Sequence, residues 1–232
     1  MFEWLENAVQ TEFEVLRTLK QSPRGSVLLL CHKATRQRFI LRRFTGSGEV
    51  YQKLLGLSCA NLPTILEAAA RDEENLVLEE FIEGDTLNFL LRGALFSPSE
   101  TRKIVTQVCR ALWVLHSMSA VHRDVKPENI IVHGDRVVLI DFDAARLYKP
   151  DAGSDTRILG TTGFAAPEQY GLSQSDIRAD IYAVGILINV MLTGQHPSRK
   201  LADGRLGRIV TRCTQVNPQK RYQNVLRLME AL

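Results

Sequence analysis

Cysteine is scarce in this chain and forms no pattern. Cys31, Cys59, Cys109 and Cys213 show no metal-ligand spacing, and three of them sit inside apolar stretches, so they read as reduced core thiols of a cytosolic protein. An excess of one charge sign is also lacking. The net charge is +3 over 232 residues, and the basic side chains are scattered apart from short pairs such as Arg42-Arg43. That balance argues against nucleic acid as a partner. No long hydrophobic run is present. The longest, Ile181 to Leu192, is interrupted by Gly185 and Asn189; it is too short to span a bilayer and suits a buried core helix. The opening MFEWLENAVQTEFEVL carries acids and no apolar run after a basic start, so it is not expected to be a signal peptide. Internal repeats and low-complexity segments are absent too.

What is present is ordinary globular composition, 45% hydrophobic and 24% charged, in a chain long enough for one or two domains. Apolar positions over residues 3–19 have helical or mixed spacing. Residues 26–32 and 37–44 are strand-like runs around a polar turn, which predicts a hairpin. A short helix is expected over 47–57, and further strands around 64–70 and 75–81. After Gly84 the pattern becomes helical, over 85–92 and 98–118. The second of these is opened by Ser97-Pro98-Ser99-Glu100, a good helix start. Short apolar runs at 130–133 and 136–140 flank Gly134-Asp135, a hairpin signal. Residues 144–162 are polar and aperiodic, so a loop is expected. Helices return over 176–193, 204–214 and 222–231.

The most informative residues are His122-Arg123-Asp124-Val125-Lys126-Pro127-Glu128-Asn129, followed twelve residues after Asn129 by Asp141-Phe142-Asp143. Phosphoryl transfer asks for positioning, charge neutralisation and an acceptor for the hydroxyl proton. Asp124 can accept that proton. Lys126 can neutralise the transferring phosphate. Asn129 and Asp141 offer hard oxygen ligands of the kind magnesium takes. These two segments closely resemble the catalytic and metal-binding loops of Ser/Thr protein kinases. Gly160-Thr161-Thr162-Gly163-Phe164-Ala165-Ala166-Pro167-Glu168 resembles the end of a kinase activation segment, and its APEQYG wording is most similar to bacterial kinases. The resemblance implies that Thr161 approaches Asp124 and Lys126, and that Glu168 pairs with Arg221. It also implies that Asp180 holds the catalytic-loop backbone. Ser154 and Thr156 become candidate phosphorylation sites that could pair with Arg123.

Several N-terminal positions depart from the family pattern. Arg42 stands where the resemblance places the ATP-contacting lysine, and its planar guanidinium is not equivalent to an ammonium. Two acids compete as its partner: Glu49, on the expected helix, and Glu79, in the strand that leads to the adenine-contacting stretch Glu80 to Ile82. Arg43 should point to the opposite face of its strand. Of the usual three glycines in the phosphate-covering loop only Gly25 remains, ahead of Val27, which is expected to pack on adenine. Asp143 replaces a glycine, as a tolerated change or an added metal ligand.

The resemblance therefore implies an α+β, two-lobed protein-kinase-like fold, with an N-lobe over 1–82 and a C-lobe over 83–232 that is shortened between 193 and 207. It implies ATP and magnesium as cofactors. The catalytic residues would be Asp124, Lys126, Asn129, Asp141 and Arg42, and the metal ligands Asn129 and Asp141. Gly25, Val27, Arg42, Glu80, Ile82, Asn129 and Asp141 would bind the nucleotide. A protein substrate or regulatory protein is the implied partner. The runner-up is a pseudokinase acting as a nucleotide- or protein-binding module. A small-molecule kinase is disfavoured by the Gly160–Glu168 segment.

Overall fold

The structure, a computed structural model, describes residues 1–148, 161, 163–170 and 175–232. It contains two compact units, Met1–Glu83 and Gly84–Leu232.

The first unit is a five-stranded antiparallel sheet with strand order β1-β2-β3-β5-β4. The strands are β1 (Phe13–Ser22), β2 (Gly25–His32), β3 (Arg38–Thr45), β4 (Ile65–Arg71) and β5 (Glu74–Glu80), joined by α1 (Phe2–Glu12) and α2 (Glu49–Leu54). Phe2 and Leu5 of α1 pack with Leu30, Leu41, Ala69, Leu76 and Leu78, all on one sheet face. The spacing over 3–19 resolves into a helix that stops at Glu12 and a strand after it. The strand was hard to read because β1 lies at the sheet edge and stays mostly exposed along its length. With neither face fully buried, no strict alternation of apolar and polar residues is imposed.

Between β1 and β2 the chain turns through Pro23 and Arg24 alone, since Ser22 pairs with Gly25. Gly25 has φ +150° and its α-carbon faces β3 so closely that a Cβ would lie 1.9 Å from the Arg43 carbonyl oxygen. Strand pairing therefore requires this glycine whatever else it does.

The second unit is mainly helical. Its helices are α3 (Leu87–Gly93), α4 (Pro98–Ser117), α5 (Ile177–Thr193), α6 (Gly204–Cys213) and α7 (Val225–Ala231). A reciprocal capping box of Ser97 and Glu100 starts α4, as its sequence predicts. The apolar run 181–192 lies in α5, whose residues are largely buried. At Gly185 a Cβ would meet Cys213 Cβ at 2.4 Å, so α5 and α6 approach at a glycine. Small strands complete the unit: β6 (Asp85–Thr86), β7 (Ala120–Val121), β8 (Ile130–His133), β9 (Arg136–Leu139) and β10 (Arg146–Leu147). β10 lies inside the stretch expected to be only loop, paired antiparallel with β7.

After Gly194, which caps α5 with φ +70°, residues 195–203 run without a helix. The buried Asn189 pins this short connection. Its Nδ2 donates to the carbonyls of Gln195 and Lys200 at 2.8 and 2.7 Å, and its Oδ1 accepts from the Ala202 N–H at 2.8 Å. All four cysteines are free thiols. Burial pushes the Cys109 thiol up to about 12 and raises that of Cys213 as well, so both are structural rather than reactive. Among the described residues, no helix is long and apolar enough to cross a membrane.

Candidate active site

A hairpin explains the spacing between the two motifs. β8 and β9 pair from Ile130↔Leu139 to His133↔Arg136 around a two-residue turn. Asn129 and Ile140 are thereby brought together at the open end, where the Ile140 N–H donates to the Asn129 carbonyl at 2.9 Å. Asp141 follows directly, with φ +69°, an uncommon conformation for a residue with a side chain. The Asp143 N–H donates to Asp141 Oδ1 at 3.4 Å.

The loop over residues 122–129 is held by the first turn of α5. The fully buried Asp180 carboxylate accepts the backbone N–H groups of His122 and Arg123 at 2.9 and 2.8 Å. It also accepts His116 Nε2 at 2.8 Å. Arg123 itself has φ +68°, a geometry the two anchored amides help to maintain. His122 then links the loop forward: its Nε2 lies 3.3 Å from the Ile140 carbonyl, and its ring meets Phe142 edge-on at 5.6 Å. Burial alone would raise the Asp180 carboxyl. The His116 hydrogen bond, the charges of His116 and His122 and the Arg123 N–H outweigh burial and hold it below its ordinary value.

A depressed folded-state pKa contributes stability that is present above the unfolded value and lost as pH falls through the folded one. Asp180→Asn should therefore be less stable than wild type at about pH 5, and the margin should shrink below about pH 4. Urea unfolding of both proteins across that range measures it. A margin that widens as pH falls from about 5 towards about 3 would contradict the assignment.

Asp124 is the centre of a small polar cluster. Its Oδ1 accepts the Thr161 hydroxyl at 2.7 Å and the Thr161 N–H at 3.2 Å. Its Oδ2 meets Lys126 Nζ at 2.7 Å and Asn129 Nδ2 at 3.0 Å. Lys126 Nζ also donates to Thr161 Oγ1 at 2.6 Å. Asn129 thus directs its amide nitrogen to Asp124, and its carbonyl oxygen is the atom with metal-ligand chemistry. The donor set of Asn129 and Asp141 suits magnesium, which takes one or two protein oxygens and completes its shell with phosphate and water. Among the described residues, no group of three or more His, Cys, Asp or Glu side chains forms a metal cage.

In the same unit, Glu168 and Arg221 pair through two bonds of 2.6 and 2.9 Å. Sequence reasoning missed two residues here. His116 carries no motif signal beyond its place at the end of α4. Gln169 lies in APEQYG but drew no role; its Nε2 donates to the Arg123 carbonyl at 2.9 Å while its Oε1 accepts the Ala166 N–H. Ser154, Thr156, Gly160 and Thr162 lie outside the described residues.

The remaining predicted residues belong to the first unit. Arg42 is buried, and its Nε donates to Glu79 Oε1 at 2.7 Å. Glu49 is exposed in the first turn of α2, where the Ser47 hydroxyl donates to it at 3.3 Å. Arg43 points to the opposite sheet face and pairs with Glu6 and Glu74. Val27 and Ile82 are buried. The Glu80 N–H donates to the Thr64 carbonyl, and its carboxylate accepts the Thr64 N–H and hydroxyl, each at 3.1 Å.

The sequence model of the protein kinase domain matches residues 13–229. Similar proteins include a probable serine/threonine-protein kinase of Clostridium acetobutylicum, 26% identical over 89% of this chain and 35% of its own length. The serine/threonine-protein kinase PknA of a Nostoc species is 25% identical over 98% of this chain and 48% of its own. The serine/threonine-protein kinase pkn2 of Myxococcus xanthus is 31% identical over 57% of this chain and 17% of its own. The chain thus spans less than half the length of these relatives.

Proposed function

Because this chain belongs to the protein kinase family, we propose that it transfers the γ-phosphate of ATP to a Ser or Thr hydroxyl of a protein. One observation carries the reading. The Thr161 hydroxyl lies 2.7 Å from Asp124 Oδ1 and 2.6 Å from Lys126 Nζ, so the cluster already holds an aliphatic alcohol against a carboxylate and a cation. A substrate hydroxyl in that position would give its proton to Asp124 as its oxygen bonds to the γ-phosphorus. The bond from that phosphorus to the β-phosphate oxygen breaks, and ADP leaves with the electron pair. Lys126 would offset the charge on the transferring group. Magnesium, held through Asn129 and Asp141, would neutralise phosphate charge. Arg42 would supply a further cation to the nucleotide, and Gly25, Val27, Glu80 and Ile82 would contact it.

The relatives' names support protein Ser/Thr as the acceptor class, and the free thiols suit a reducing compartment such as the cytoplasm. A second reading, a nucleotide- or protein-binding module without transfer, is favoured by the Pro23-Arg24 turn, which leaves little glycine freedom over a phosphate. Incubation with labelled ATP, with and without magnesium, followed by phosphoamino-acid analysis, decides between them. Magnesium-dependent phosphoserine or phosphothreonine is the expected result. Nucleotide binding without any transfer, to generic substrates or to the chain itself, would favour the second reading.

A further inference from the structure

In the kinase reading, on which this inference rests, a glutamate orients the cation that meets the nucleotide. We infer that Glu79, on β5, is that positioning residue. Arg42 and Glu79 stand on β3 and β5, which pair from Phe39↔Glu80 to Thr45↔Glu74, with Arg42 opposite Val77 and Ile40 opposite Glu79. The two charged residues are therefore diagonal neighbours on one sheet face, within reach of long side chains. They meet at 2.7 Å with side chains only 5% and 3% exposed.

The surroundings make the pair a functional candidate. Val27 lies opposite Arg42 on β2, and Ile65 lies opposite Glu79 on β4. With Ile40 and Val77, the face around the pair is apolar and β-branched. Such a face packs at least as well with two apolar residues, because burying charges costs solvation that their attraction only partly returns. Glu49, on the helix, is exposed and bonded to Ser47.

The consequence is a change in what controls the cation. The spacing of two residues on neighbouring strands is set by the backbone ladder between them. Tilting or sliding α2 does not alter it. Arg42 is held ready by the sheet itself, through an acid whose position does not move with α2.

The experiment compares equilibrium binding of magnesium-ATP and the melting midpoint for wild type and three variants of the full chain. Glu49→Gln should bind within about twofold of wild type. Glu79→Gln, nearly isosteric, should weaken binding at least about tenfold. The double variant Arg42→Met/Glu79→Met should melt at or above the wild-type temperature and lose nucleotide affinity to the same extent. That split separates positioning from scaffolding, and it stands if Glu79→Gln alone folds poorly. Wild-type affinity in either Glu79 variant, with only the melting midpoint moved, would leave the pair a structural element and overturn the inference alone. Loss of affinity in Glu49→Gln would return the acid to α2 and also overturn it. A wild-type chain that binds no magnesium-ATP would remove the kinase reading and this inference together.

Discussion

Replacing Asp124 by Asn is expected to lower phosphate transfer between about a hundredfold and ten-thousandfold, the range that a positioned general base supplies. Asn has the shape of Asp, so its oxygen can still accept the Thr161 hydroxyl that now lies 2.7 Å from Oδ1. What is lost is the capacity to take a proton, together with the charge that faces Lys126 at 2.7 Å. The loss should fall on kcat, with the KM for ATP little changed, because an interaction needed only in the transition state has been removed. The melting midpoint should move by no more than about 3 °C. Initial rates of label transfer from purified wild type and variant, at matched magnesium, give the comparison. A variant retaining more than about a tenth of wild-type rate would remove Asp124 from the role of base.

The second large effect is on stability. Arg221 is fully buried and serves five acceptors at once. Two are the Glu168 carboxylate oxygens; the others are the carbonyls of Arg178, Gln215 and Val216 at 2.9, 2.7 and 3.1 Å. Its guanidinium also lies 4.9 Å from the Tyr182 ring centroid. Arg221→Ala strips all of these partners together and leaves the Glu168 carboxylate, itself buried, without its counter-charge. Breaking a buried pair from one side costs about 3–5 kcal/mol. For a chain of this size that is a fall in melting midpoint on the order of 10 °C. Arg221→Lys should recover less than half of the loss, since a single ammonium cannot span two carboxylate oxygens and three carbonyls in fixed directions. The exposed pair Arg227–Glu230 makes a control: removing it should change stability little. Thermal and urea unfolding measure both. A loss below about 1 kcal/mol for Arg221→Ala would place it among ordinary surface changes.

The two motifs of the second unit were readable because their chemistry is nearly local. Asn129 and Asp141 are joined by a hairpin whose Gly134-Asp135 turn is written in the sequence, and the pairing Ile130↔Leu139 follows from that turn. Lys126 and Asn129 reach Asp124 from two and five residues away, within one loop. Capping chemistry marked the start of α4 for the same reason. The end of α1 was less legible. Phe13, Leu16 and Leu19 continue a helix-like spacing, yet they lie in β1. Local spacing could not register that β2 would offer a strand partner there.

The sequence by itself determined the kinase-like class, most of the helices and the strands β2 to β5, β8 and β9, and the identity of the residues around Asp124. The resemblance also anticipated distant meetings such as Glu168 with Arg221, but only the tertiary structure decided others. It gave Arg42 a partner 37 residues away on a neighbouring strand. It set His116 against Asp180 across 64 residues. It also showed that Gly25 is required by the closeness of β3. A strand's alternation tells which face a side chain takes, but the register between strands determines which charge stands diagonal to it. That register is fixed by the packing of the whole sheet.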